Sequence, residues 1–464
     1  MLKSFIGDKP FYKKTMMLVI PIILQNGITN LVSMVDNVMV GMVGTEQMSA
    51  VAIVNQLLFV FNLAIFGMVS GVGIFTAQYF GKGDNKGIKE TVRLKIVSTV
   101  VILAVSMLIF TFFGSNLINS YLHDGTEPMD LTLAFEEAKK YLSIMLIGLV
   151  PFAVTQVYGS TFREIEKPVI PMVASIIAVA VNLVFNYLLI FGAFGFPALG
   201  VSGAAVATVI SRFVECIITI SVCHVKRKEF TFAKSLYRNF KIEFTLIKKV
   251  LPKAIPLLAN EFFWALGIAL LNNSYAIRGL DVVAAANITS TISNVFMVSI
   301  IAFGSAISII VGGLLGAGKR QEALDTNKKL TFLSFVISLG LMVVLICTSS
   351  LFPLVYNTSN TVRSLAGAFM ICYAVYLPFS SLMNSFYFAI RSGGNTVITF
   401  VFDSVYMLCI SVPFTFILAR FTGIPVVMLY ALSLGIEIFK VIIGFFLVSS
   451  GKWAKNLVDT KSQQ

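Results

Sequence analysis

Charge is scarce in this sequence. Of its 464 residues, 12% are Asp, Glu, Lys or Arg and 57% are hydrophobic, with a mean hydropathy of +0.89. A soluble domain carries about 25% charged and about 45–50% apolar residues, so a soluble enzyme, a nucleic-acid binder and a disordered chain are all poor readings. Histidine is nearly absent. His123 and His224 are the only two, which leaves no His-rich metal site and too few acid–base groups for a membrane-embedded enzyme. The five cysteines, Cys216, Cys223, Cys347, Cys372 and Cys409, lie in or beside apolar runs and form no CxxC pair, so neither zinc nor a disulfide framework is indicated. A nucleotide loop is missing too. The glycine pairs Gly81/Gly83 and Gly316/Gly318 lack the G-x-x-x-x-G-K-[ST] spacing and follow no strand, which makes them turns that let helices approach closely. Any energy the protein uses must then come from an ion gradient and not from ATP. The basic start MLKSFIGDKPFYKK shows no cleavage site before the first apolar run, so no removable signal peptide is expected.

What the chain has in abundance is apolar length. Runs fall near residues 15–43, 50–77, 96–113, 138–160, 168–192 and 199–223, then 252–276, 283–315, 330–350, 364–389, 397–418 and 425–449. Each is long enough to cross a bilayer as a helix, which takes about 20 residues. The fold expected is an all-α polytopic membrane protein with twelve transmembrane helices and almost no extramembrane domain. The net charge of +13 then reports topology, because basic residues gather in cytoplasmic loops beside an anionic leaflet. With both termini inside, 28 basic residues fall on the inner side and five outside, and the outer loop 114–137 is acidic, with Asp124, Glu127, Asp130, Glu136 and Glu137. A plasma-membrane protein with cytoplasmic termini is expected.

The sequence also repeats itself. Shifted by 235, residues 21–83 align without a gap on 256–318, with 13 identities in 63 positions, where composition alone gives about five or six. Pro21 meets Pro256, Gly44 meets Gly279, and the two glycine pairs coincide. At an offset of 228, Arg163 meets Arg391, Pro197 meets Pro425 and Arg212 meets Lys440. An even number of spans in each half makes these parallel repeats. The expected organisation is an amino-lobe of six spans over 1–225, a cytoplasmic linker over 226–245 and a carboxyl-lobe of six spans over 246–464. The basic stretch 224–251 is expected to lie along the inner surface. Two lobes of this kind usually enclose a central path with alternating access.

Ionisable groups inside spans are costly, so each is a functional candidate. Asp36 has no basic residue within five positions and lies about 33 Å along its helix from Lys14. In water-poor surroundings a carboxylic acid stays neutral until a cation or an opening event stabilises its charge. The plain alternative is an Asp solvated at the outer interface. Asn182 and Asn186, four residues apart, share a helix face; their amide oxygens can join Asp36 around a sodium ion, or else only bond neighbouring helices. Glu261 lies among apolar and aromatic residues and aligns with Asn26, so the lobes differ there. Asp403, in TFVFDSVYM, is a further carboxylate, or a structural ion pair near Arg391. Arg212 with Glu215, and Glu437 with Lys440, are pairs three residues apart whose matched placement suggests structural use.

The first span, IPIILQNGITNLVSMVDNVMVGMVG, the loops AQYFGKGDNK and GGLLGAGKRQEA, and the stretch NLVFNYLLIFGAFGFPALGVSGAAVATVISR together resemble the multidrug and toxic compound extrusion (MATE) family over nearly the whole chain. The resemblance implies a cation-coupled antiporter exporting amphipathic, often cationic compounds against inward sodium or protons, with a small-molecule substrate and the lipid bilayer as partners and no cofactor beyond the coupling ion. It is expected to act as a monomer, with neither nucleic acid nor enzymatic activity. Asn182 and Asn186 match positions in the family's fifth helix, though some branches carry Asp at the second. Glu261 matches a carboxyl-lobe Glu that in one branch works with an acid early in the tenth helix. Here that stretch reads YLPFSSLMNSF, with Phe379, Ser380 and Ser381 and no acid, and Asp403 is the nearest substitute. The same superfamily includes flippases of lipid-linked oligosaccharides. That alternative, extended to peptidoglycan precursors, calls for several cavity cations to hold pyrophosphate. Within the spans only Arg212 and Lys440 offer themselves.

Overall fold

The computed structural model describes residues 5–122, 130–238 and 240–459; Lys3, His123, Asp124, Glu127 and Lys461 lie outside them. Among the described residues there is no strand, and twelve helices are long and apolar enough to cross a membrane. They are α1 Lys9–Gly41, α2 Thr45–Lys82, α3 Asn85–Tyr121, α4 Leu131–Glu164, α5 Val169–Phe191, α6 Val201–Val225, α7 Phe244–Ala276, α8 Leu280–Gly316, α9 Arg320–Thr348, α10 Asn360–Ser392, α11 Thr396–Phe421 and α12 Val426–Ser449. Proline inside α1, α4, α7 and α10 leaves them continuous, since neighbouring helices re-satisfy freed backbone groups in a membrane protein. The chain is a multi-pass membrane protein.

Two compact units divide the helices, and the division does not follow chain order. The amino unit holds Leu24–Thr76 and Asn85–Lys249; the carboxyl unit holds Met1–Ile23, Ala77–Asp84 and Val250–Gln464. The first turns of α1 and the last turns of α2 thus belong to the carboxyl unit. Leu18, Val19 and Ile22 of α1 are buried with Ala306, Ile310 and Leu330 of α8 and α9, and with Trp453 beyond α12.

The repeated glycines explain the end of α2. A Cβ on Gly81 would lie 1.8 Å from the Gly313 carbonyl oxygen, and one on Gly316 would lie 1.9 Å from the Gln78 carbonyl oxygen. Because 78 and 81 map to 313 and 316, each helix uses its own glycine against the equivalent turn of the other. Gly83 and Gly318 follow with φ of +76° and +78°, the left-handed terminator that glycine adopts without strain. Gln78 holds the chain's last described segment to this crossing. It donates to the carbonyls of Ser392 (3.0 Å) and Lys455 (3.1 Å) and accepts from the Leu457 amide (2.7 Å).

In the amino unit, charge is spent on packing. Arg93 of α3 is buried and donates to the carbonyls of Ser235, Leu236, Arg238 and Lys241 at 2.9–3.1 Å, folding the segment after α6 back onto α3. That segment contains a short 3₁₀ turn, Thr231–Ala233, with Phe232 and Leu236 buried. Lys95, one of the 28 basic residues counted on the inner side, is fully buried instead. Its ammonium pairs with Glu164 of α4 and donates to Ser160 (3.1 Å) and Thr161 (3.3 Å).

Candidate cation site

The two halves of the repeat build one polar contact in common. In the amino unit Gln25 Nε2 of α1 donates to Ser175 Oγ of α5 at 2.8 Å. In the carboxyl unit Asn260 Nδ2 of α7 donates to Asp403 Oδ2 of α11 at 3.1 Å. Residues 25 and 260 differ by the first repeat offset, and 175 and 403 by the second. Around that shared contact the chemistry diverges.

About three turns beyond Gln25, Asp36 meets the asparagine face of α5. Asn186 Nδ2 donates to Asp36 Oδ1 at 2.5 Å and lies 3.2 Å from Asn182 Oδ1. Turned over about its amide, Asn182 places its nitrogen 3.0 and 3.1 Å from the two Asp36 oxygens, so both amides can serve the carboxylate. Both asparagines are buried while Asp36 is half-buried. Asn186 Oδ1 is buried without a hydrogen-bond partner. An unsatisfied amide oxygen beside a carboxylate is a donor set that suits a hard cation, and protonation of Asp36 would supply a donor in the same place. These residues fit sodium and a proton alike. Among the described residues no cluster of three or more His, Cys, Asp or Glu could hold a metal.

Asp403 sits in different company. It lies on a π-helical turn, Val401–Val405, followed by a second over Met407–Ser411; such turns re-aim side chains and recur at functional sites. Lys440 Nζ of α12 is 3.6 Å from Asp403 Oδ1, 3.4 Å from its carbonyl oxygen and 2.7 Å from Glu437 Oε2. Ser404 donates to Asn260 Oδ1 at 2.8 Å, and Asn260 also reaches the Tyr387 hydroxyl at 3.3 Å. The ion-pair partner of Asp403 is therefore Lys440 and not Arg391, whose guanidinium lies 5.9 Å from the Tyr387 ring and 5.3 Å from the Phe388 ring. Glu261, next to Asn260, is half-buried and makes no hydrogen bond or ion pair among the described residues; the charges that act on it are Arg391 and Asp403. Ser381 bonds Ser334 at 2.7 Å and Ser380 contacts Met297, so the tenth-helix serines serve packing.

The matched charge pairs also part ways. Glu437 and Lys440 pair as their spacing suggests. Arg212 instead donates to the Gly148 carbonyl (3.3 Å) and lies 5.0 Å from the Phe152 ring, while Glu215 accepts from Ser175. The structure thus joins Asp36, Asn182 and Asn186 and keeps Asp403 in a separate cluster. Sequence reasoning missed Asn260 and the role of Lys440 toward Asp403. Following the repeat offsets from Gln25 and Ser175 would have found the first.

The MatE family model matches residues 21–188 and 257–417, one block in each half of the repeat. The chain belongs to the MatE family. A "Probable multidrug resistance protein NorM" of Thermotoga maritima is 25% identical over 97% of this chain and 95% of its own length. The protein of that name from Bacillus subtilis is 26% identical over 67% of each. Among solved structures, a MATE crystal structure in complex with MaL6 superposes with a TM-score of 0.84 at 18% identity, covering 97% of this chain and 98% of that one. A MOP-superfamily transporter from Pyrococcus furiosus gives 0.85 at the same identity and coverage. At such identity these likenesses carry the MatE fold.

Proposed function

We propose that this MatE protein is a cation-coupled antiporter in the plasma membrane, both termini cytoplasmic, exporting amphipathic and often cationic small molecules by alternating access. The observation that carries the reading is Asp36 of α1 held, among the described residues, by neutral amides of α5, beside the orphaned Asn186 Oδ1. As a bare carboxylate, Asp36 accepts charge-assisted hydrogen bonds that draw α1 to α5. Neutralised by a proton or a bound sodium ion, it is a weaker acceptor and the amides turn toward other partners. The α1–α5 contact then differs between the loaded and empty states, which is what coupling requires, since a ligand shifts an equilibrium only by its unequal affinity for two conformations. A half-buried carboxylate also attracts a cationic substrate, so ion and substrate compete for one group.

Flipping a lipid-linked oligosaccharide or peptidoglycan precursor is less well supported. Pyrophosphate needs open cations, and Lys95, Arg212 and Lys440 are each engaged by groups of the chain. The test is purified protein in proteoliposomes with sodium and proton gradients imposed separately and ethidium as the probe. One of the two gradients should drive ethidium against its own gradient. Ethidium movement indifferent to both, with a fluorescent lipid-linked precursor crossing the bilayer instead, would overturn the reading.

A further inference from the structure

Both units carry intramembrane carboxylates, yet they differ in how those carboxylates are satisfied. In the cluster around Lys440 each carboxylate oxygen of Asp403 and Glu437 already faces a hydrogen-bond donor or the ammonium of the chain. Lys440 serves Asp403 Oδ1 and Glu437 Oε2, Asn260 serves Asp403 Oδ2, and Ser411 serves Glu437 Oε1. The ammonium is buried and sits 5.1 Å from the Tyr406 ring. It therefore stands among three oxygens, two carboxylate and one carbonyl, where a hard cation would otherwise stand. The amino unit inverts this. Ser175 occupies the position matched to Asp403, so Arg212, matched to Lys440, has no acid there and turns to Gly148 and Phe152. No cation of the chain reaches Asp36 within salt-bridge distance among the described residues.

We propose that Lys440 is a tethered counter-cation: its ammonium fills the Asp403–Glu437 oxygen cage from within the chain and keeps exchangeable cations out of that cage. This deepens the antiporter reading and rests on it, because it takes the Asp403–Glu437 cage out of cation exchange while Asp36 keeps no tethered cation. Lys440 acts here by excluding an ion and does not touch substrate.

The experiment counts cations on purified full-length protein in detergent, by radiolabelled sodium binding and by proton uptake in weakly buffered solution. Asp36→Asn should remove the cation equivalent the native protein binds. Adding Lys440→Gln to Asp36→Asn should restore an equivalent, and further Asp403→Asn with Glu437→Gln should remove it again. Lys440→Arg in the Asp36→Asn background should restore nothing. No gain on Lys440→Gln overturns the proposal. Should Asp36→Asn bind as many cations as the native protein, the amino-site reading fails, and the gain on Lys440→Gln is still read by itself. If Lys440→Gln does not fold, Lys440→Met with Glu437→Gln keeps the cluster's net charge and frees Asp403; the same gain is expected. Failure of both variants to fold would make Lys440 a structural strut and overturn the proposal.

Discussion

The amino and carboxyl units share a repeat, a helix order and one polar contact, yet they put charge to opposite uses. At the three positions forming the Asp36 site, the carboxyl half has Leu271, Ile410 and Phe414. At the positions of the buried Lys95–Glu164 pair it has Leu330 and Ser392, both fully buried. Where Arg93 holds four carbonyls, the matched Lys328 is exposed and pairs with Asp325, at 3.4 Å. Duplication thus preserved where helices cross, as the reciprocal Gly81 and Gly316 contacts record. It did not preserve which helices carry ions. In the amino unit, charge staples α3 to α4 and to the following segment, and one carboxylate is left open. In the carboxyl unit the matched positions carry no such staple, and Asp403 and Glu437 are closed by a lysine.

Transplanting residues between the halves tests that contrast. The largest effect is expected at Lys95. Lys95→Met leaves Glu164 buried without its partner, a loss of about 3–5 kcal/mol, seen as a lower midpoint in thermal unfolding of the detergent-solubilised protein. Lys95→Leu with Glu164→Ser copies the carboxyl half and should be close to neutral, because removing both charges also removes their desolvation cost. A double variant as damaged as the single one would break the comparison. Next comes Arg93→Ala, which orphans four carbonyls and should cost about 1.5–3 kcal/mol or more. Lys328→Ala should stay within about 0.5 kcal/mol. Equal effects at the two sites would show that the guanidinium adds nothing to holding the segment after α6.

The smallest effect concerns two exposed pairs of the amino unit, Lys167–Glu229 (2.8 Å) and Lys86–Glu243 (2.9 Å). The hydrogen bond from Lys167 and its charge hold Glu229 below the usual glutamate range, and Lys86 does the same for Glu243. A depressed folded value means that the contribution is present above the ordinary glutamate pKa and is lost as pH falls through the folded one. The difference in melting temperature between the native protein and Glu229→Gln should therefore be small at neutral pH, vanish in acid and shrink with salt. A difference that grows in acid would reverse the sign and exclude this account.

Much of this architecture is legible from sequence, for physical reasons. Apolar length marks the helices, the offsets of 235 and 228 mark the halves, and four-residue spacing puts Asn182 and Asn186 on one face. Asp36 stands out because an acid in an apolar helix has few ordinary explanations. Lys95 does not stand out: beside Lys89 and Arg93 it reads as one more loop cation, and only the packing of α3 on α4 reveals its burial. The partner of Asp403 is hidden likewise, because the π turns of α11 alter the helical phase by which sequence spacing is read. Arg391 was near in the chain and Lys440 is near in space.

The central claim is that ion coupling resides in the amino unit, at Asp36. Gradient-driven ethidium transport in proteoliposomes tests it most directly, comparing Asp36→Asn, Asn182→Ala, Glu261→Gln and Asp403→Asn at equal reconstituted amounts. Asp36→Asn should fall to the level of empty vesicles while still binding substrate. Asn182→Ala should retain part of the rate, about a tenth if one hydrogen bond of roughly 1.4 kcal/mol is lost, and Asp403→Asn should remain active because Glu437 still pairs Lys440. Native-rate transport by Asp36→Asn, with Glu261→Gln or Asp403→Asn inactive, would assign coupling to the carboxyl unit and contradict the account.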